Sequence, residues 1–174
     1  RTHPTRGMCV TLRPGETIPT RYERGGLLDG AAAAEVALRH PDGPWPDLED
    51  VLERMHQCVQ ENAPVDVHAE LGTLFHETLL ARASNTLVVG IARSSCRVIS
   101  KYLMFQQWQH LYTTAELLQR HTDVYEALRL RDAQAIERAV RRHYAESAER
   151  LAALCPLPRS GRGSPRRRAH FPAE

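Results

Sequence analysis

Apolar residues recur at helical spacing through most of the chain, and no sustained period-two alternation replaces that pattern. Leu48, Val51, Leu52 and Met55 make the i, i+3, i+4, i+7 stripe of an amphipathic helix that Pro46 and Asp47 are suited to start. Upstream, residues 27–39 are alanine-rich with apolar positions at helical spacing, and Pro41-Asp42-Gly43-Pro44 breaks the run. A third helix is expected from about 64 to about 83. Ser84-Asn85 interrupts it, and either residue can cap a fourth helix reaching about 109. Thr113, with Glu116 three residues on, is a capping-box signature for a fifth. Asp132 is placed to cap a sixth that runs to about 154 and ends before Pro156. The predicted fold is all-α: an antiparallel helical bundle of about six helices joined by short turns.

The two ends differ from this body. Residues 1–20 hold three prolines, two glycines and one strand-like stretch, Met8-Cys9-Val10-Thr11-Leu12. They are expected to be a hairpin remnant and a linker, ended by Pro14-Gly15 and Pro19. Residues 156–174 hold four prolines, two glycines and Arg166-Arg167-Arg168, and are expected to be a flexible basic tail. The folded domain then spans 21–155. Because the chain starts at arginine, a segment upstream is expected to have been removed.

Charge sharpens that division. The net +2 is a sum of +3 over residues 1–24, −5 over 25–155 and +4 over 156–174. An acidic body argues against a globally basic nucleic-acid binder. No apolar run approaches the ~18 residues of a membrane helix, and the first residues lack a signal-peptide core. The cysteines at 9, 58, 96 and 155 form no CxxC pair, which fits a reduced, cytoplasmic protein better than a disulfide framework or zinc knuckle. All but one of the 23 basic residues are arginine and alanine is abundant, which reads as compositional bias without mechanistic content.

Three of the nine histidines lie on apolar helix faces. His76 has Leu79 and Leu80 ahead of it. His121 lies between Leu117 and Leu118 behind and Val124, Tyr125 and Leu128 ahead. His143 follows Ile136, Ala139 and Val140 and precedes Leu151. Each imidazole should therefore face the interior from a different helix. A buried imidazole must hydrogen-bond or ligate something. One reading gives each a backbone carbonyl; the other gathers all three on one metal, as bundle cores do.

Leu74-Phe75-His76-Glu77-Thr78-Leu79, followed by Ala83-Ser84-Asn85, resembles the D-x-x-F-H-x-x-L…A-S-x-N signature of the FCD domain, the all-helical effector-binding part of FadR-subfamily GntR transcriptional regulators. Arg120-His121, Ala127-Leu128, Arg131-Asp132 and His143 are similar to its H-R-x-I-x-x-A-I-x-x-x-D…H segment, with the same 22-residue interval between the histidines. Residues 27–39 look like the domain's opening helix. Arg6-Gly7-Met8-Cys9-Val10 resembles the R-G-x-F-V strand that closes the family's DNA-binding wing.

The resemblance implies a homodimeric sensor in which one aspartate and three histidines hold a divalent metal and a small organic acid completes the coordination. The histidines correspond to His76, His121 and His143. At the aspartate's position stands Gly72, which offers no ligand, and neither Glu70 nor His68 is well placed to substitute. Three nitrogen donors closed by water or an effector carboxylate suit zinc or nickel; the rival is a lapsed metal site binding an anion directly. Arg93 and Arg97, one turn apart, are the candidate partners for the acid's carboxylate. Operator DNA would be contacted only through a winged helix-turn-helix whose recognition helix is not in this chain. A sensor rather than an enzyme is thus the first reading. The alternatives are a metal-dependent hydrolase or lyase using the three histidines, and a structural helical dimer with a lapsed ligand site.

Overall fold

The computed structural model describes residues 2–3, 7–8, 18–40, 45–99 and 110–154, with side chains described over 19–40, 45–94 and 110–154. Two two-residue strands, β1 (Thr2–His3) and β2 (Gly7–Met8), pair antiparallel with Thr2 opposite Met8. Among the described residues six helices are bounded at both ends: α1 (Ile18–Arg39), α2 (Pro46–Gln60), α3 (Val65–Leu80), α4 (Thr86–Ile99), α5 (Thr114–Leu130) and α6 (Ala133–Leu154). The molecule is the expected all-α bundle. Residues 9–12, the stretch 100–109 into which α4 was expected to continue, and the tail 156–174 lie outside the described residues.

Helix starts follow local chemistry. Thr113 and Glu116 make the predicted capping box, each side chain accepting from the other's backbone N–H. Asp132 Oδ1 accepts from the N–H groups of Gln134 and Ala135, and Asn85 Oδ1 from that of Val88. The start of α1 differs from expectation. It begins at Ile18, nine residues before Leu27, with Pro19 inside its first turn. There proline's missing N–H would have had no intrahelical partner anyway, so it does not end a linker but opens a helix.

The alanines that looked like compositional bias have a mechanical role. Ala33, Val36 and Ala37 are fully buried on the inner face of α1. Their small size lets α1 lie against α6, the most extensive helix pairing among the described residues. At Gly26 the approach is closest: a Cβ there would stand 3.1 Å from Tyr144 Cβ and 3.3 Å from the backbone of Arg141. The main core joins these residues to Leu48 and Met55 of α2, Phe75 and Leu79 of α3, Leu128 of α5 and Ile136 of α6.

The turn between α5 and α6 sets the site. Arg131 closes α5 in the left-handed conformation (φ 55°) and Asp132 starts the next helix, so the chain reverses within two residues. His121 and His143 lie 11 residues either side of Asp132. On antiparallel helices, equal distances from the turn mean equal heights. The 22-residue interval is therefore what brings the two imidazoles level.

Candidate metal centre

His76, His121 and His143 do converge. One ring nitrogen from each lies within 4.8 Å of the others, and among the described residues these three alone form such a group. The ring centroids are 5.4 Å apart for His76 and His121, and 4.8 Å for each of the other two pairs. His76 Nε2 and His143 Nε2 are 3.1 Å apart. Three nitrogens around one tetrahedral zinc stand about 3.3 Å from each other, as bond lengths of 2.0–2.1 Å require. The His76–His143 pair is near that spacing already, and the His121 nitrogen lies within 4.8 Å of both.

The protonation of the rings also suits ligation. His121 Nδ1 is 2.7 Å from the Leu117 carbonyl oxygen. A carbonyl can only accept, so Nδ1 carries the proton and Nε2 keeps the lone pair. Burial, with the Arg120 charge behind it, pushes His76 down to about 4. Burial and then the neighbouring His76 push His121 down to about 3. His143 is held well below the usual histidine range by burial and then by the other two rings. At neutral pH all three rings are uncharged, as ligation requires; one of the facing Nε2 atoms of His76 and His143 carries the proton of their hydrogen bond and gives it up to Nδ1 when it ligates. His143 Nδ1 is buried without a hydrogen-bond partner. Three neutral nitrogens with an open fourth position fit zinc or nickel better than magnesium or calcium.

Gly72 is where the site departs from its pattern, and the structure gives that departure a shape. A Cβ at Gly72 would stand 2.9 Å from both Cε1 and Nε2 of His121. The histidine ring lies on the bare helix backbone, in the space a side chain would need. Phe75, one position before His76, backs the same ring at a centroid distance of 5.3 Å. Glu70 is exposed and does not join the group.

Arg120 braces the centre from behind. Only 9% exposed, it donates to Glu146, to the His143 carbonyl and to Ser147, and its guanidinium lies 4.5 Å over the Tyr112 ring. Position 143 is thus fixed through its backbone as well as its ring.

The predicted carboxylate partners are less central. Arg93 is exposed on α4, and its charge acts on Asp29. The side chain of Arg97 lies outside the described residues. Asp29 itself was not anticipated. It is 4% exposed, its Oδ2 accepts from the Tyr144 hydroxyl, and its Oδ1 is buried without a partner. The Tyr144 ring in turn lies 5.8 Å from His76 and 5.9 Å from His143. Asp29 shares the inward stripe of Ala32, Ala33 and Val36, three, four and seven residues on, and that spacing was the available signal.

Burial raises the Asp29 carboxyl to about 6, against which the Tyr144 hydroxyl and Arg93 pull it down. The unfolded chain ionises near 3.8 while the folded one holds its proton to about 6, so stability is lost as pH rises between them. The full loss is about 2–3 kcal/mol. Asp29→Asn removes this dependence. Its stability relative to the parent, from urea denaturation, should improve by about 2 kcal/mol between pH 4 and pH 7.5. A difference independent of pH would show that Asp29 ionises in the fold as it does in the unfolded chain.

Residues 22–146 match the family described as the FCD domain. No curated protein and no solved structure matches the chain. Among the described residues, no helix is long and apolar enough to cross a membrane.

Proposed function

Because the chain belongs to the FCD domain family, we propose that it is the ligand-sensing and dimerising part of a GntR-family transcriptional regulator of the FadR subfamily. FCD domains are typical of regulatory effector-binding proteins rather than of enzymes, and the match covers His76, His121, His143 and Arg93. In this reading His76, His121 and His143 hold a divalent ion, zinc or nickel, and a small organic acid occupies the open position. The observation that carries it is the convergence of three neutral, inward imidazoles from three helices, one with its tautomer already fixed by Leu117.

The bound ion supplies positive charge to which a carboxylate is drawn. The chain does the rest. Helices α3, α5 and α6 each contribute one ligand, so tightening the three nitrogens draws three helices together. In this reading Arg93 takes part in effector binding; its charge acts on Asp29, whose Oδ2 accepts from the Tyr144 hydroxyl, and the Tyr144 ring lies beside His76. Leu38 of α1 and Leu87 of α4 are 58% and 72% exposed on helices that pack together, which supports a second copy as partner. A shift in α1 and α4 then alters the spacing of two winged helix-turn-helix domains attached upstream, through which alone operator DNA is contacted. Such coupling requires that the acid bind the two arrangements with different affinity. The setting proposed is the cytoplasm.

Calorimetric titration of the zinc-loaded protein with a panel of organic acids, with their concentration followed afterwards, tests this reading. Saturable binding that disappears with the metal and leaves the acid intact is expected. Turnover of any acid, or binding indifferent to metal removal, would overturn it.

A further inference from the structure

His68 has no part in the site so far, yet it is fully buried and both of its ring nitrogens lack a hydrogen-bond partner. A buried, unpartnered polar group is costly, and two on one ring more so. Its position connects it with the metal centre. His68, Gly72 and His76 follow one another at intervals of four along one face of α3, about 6 Å of rise per step. The missing side chain at Gly72 leaves the middle of that face to the His121 ring. His68 is also near enough to His121 to help depress its proton affinity. His68 does not reach the three-nitrogen group itself. It stands about two helical turns before His76 on the same helix.

Charge indicates what could join the two places. Three neutral imidazoles leave both positive charges of a divalent ion uncompensated, and no carboxylate belongs to the group. Asp29 is turned to the Tyr144 hydroxyl and does not offset them. A ligand bringing two negative charges answers that demand better than one bringing a single charge. A neutral imidazole has one N–H to give, and a carboxylate oxygen makes the stronger, charge-assisted bond with it.

We propose that His68 anchors the far carboxylate of a short dicarboxylate whose near carboxylate lies at the three-histidine centre. This rests on the sensor reading above and adds the class of acid to it. Gly72 and His68 then form a matched pair: the first withholds the protein's own carboxylate, and the second receives the ligand's additional one.

The test uses the full chain, zinc, and two probes of equal length, glutarate and its monocarboxylate counterpart valerate. Zinc affinity is measured first, by competition with a chromophoric chelator, on the parent, His68→Phe, His68→Gln and His76→Ala. Acid affinity follows by calorimetry, and circular dichroism checks folding. The parent should prefer glutarate by about tenfold or more, the scale of one charge-assisted hydrogen bond. His68→Phe should lose that preference while keeping zinc affinity; His68→Gln, which retains an N–H donor, should keep part of it. His76→Ala should lose zinc. A glutarate preference that survives His68→Phe overturns the proposal, as does a loss of zinc in His68→Phe equal to that in His76→Ala. A parent that binds no zinc brings down the sensor reading, and this is seen before any acid is added.

Discussion

His121→Ala is expected to lower zinc affinity by about two to three orders of magnitude. Structural zinc sites bind with about 10–16 kcal/mol shared over four ligands, so one ligand accounts for about 3–4 kcal/mol. His121 is the most informative of the three to remove. It is the buried member of the trio, its Nδ1–H is already committed to the Leu117 carbonyl, and its ring rests on both Phe75 and the Gly72 backbone. Its Nε2 cannot be replaced by a shift of His76 or His143, whose own Nε2 atoms face each other at 3.1 Å. The same substitution leaves the caps of α5 in place, so helix content should be retained. Metal content as purified and chelator competition would give the result. Equal zinc in variant and parent would mean that the three rings are a packed histidine cluster without a metal, one of the readings the sequence alone left open.

That uncertainty shows where sequence reasoning reached and where it stopped. Capping chemistry is local, so Thr113, Glu116 and Asp132 could be assigned their roles from a few neighbouring residues. Inward direction is also local: helical spacing alone placed His76, His121 and His143 on apolar faces, and the 22-residue interval set two of them level across a turn. The remaining features depend on what stands opposite. The alanines of α1 carried no message until α6 was seen lying against them. Gly72 read as the loss of a ligand, because no pattern in α3 reveals that a ring from α5 fills its place. Asp29 and His68 are polar residues buried among apolar neighbours; spacing could point Asp29 inward with Ala32, Ala33 and Val36, but not show what either polar group meets there. Their burial is a tertiary fact, and so is the raised carboxyl that follows from it.

Gly72 provides the second large effect, because it separates the space a side chain takes from the charge it brings. Gly72→Ala puts a Cβ 2.9 Å from Cε1 and Nε2 of His121, closer than packed atoms stand. The ring must move, and its movement is limited by the Nδ1 bond to Leu117 and by Phe75 behind it. Displacing a ligand nitrogen in this way should weaken zinc binding by about 10–100-fold, the scale seen when a ligand's orientation is disturbed. Meanwhile alanine favours the helix over glycine by about 1 kcal/mol. Gly72→Asp makes the same displacement but adds a carboxylate beside the three nitrogens. Without metal, that charge in a buried apolar setting should cost about 2–4 kcal/mol of stability. With zinc, it becomes a fourth ligand, and affinity should exceed that of Gly72→Ala by at least about tenfold. Thermal unfolding with and without zinc would therefore show the smallest metal-dependent rise for alanine and a larger one for aspartate, starting from a lower apo value. If alanine and aspartate bound zinc equally, the carboxylate would not be reaching the centre. The His121 ring, rather than the absent charge, would then be the reason this position is glycine.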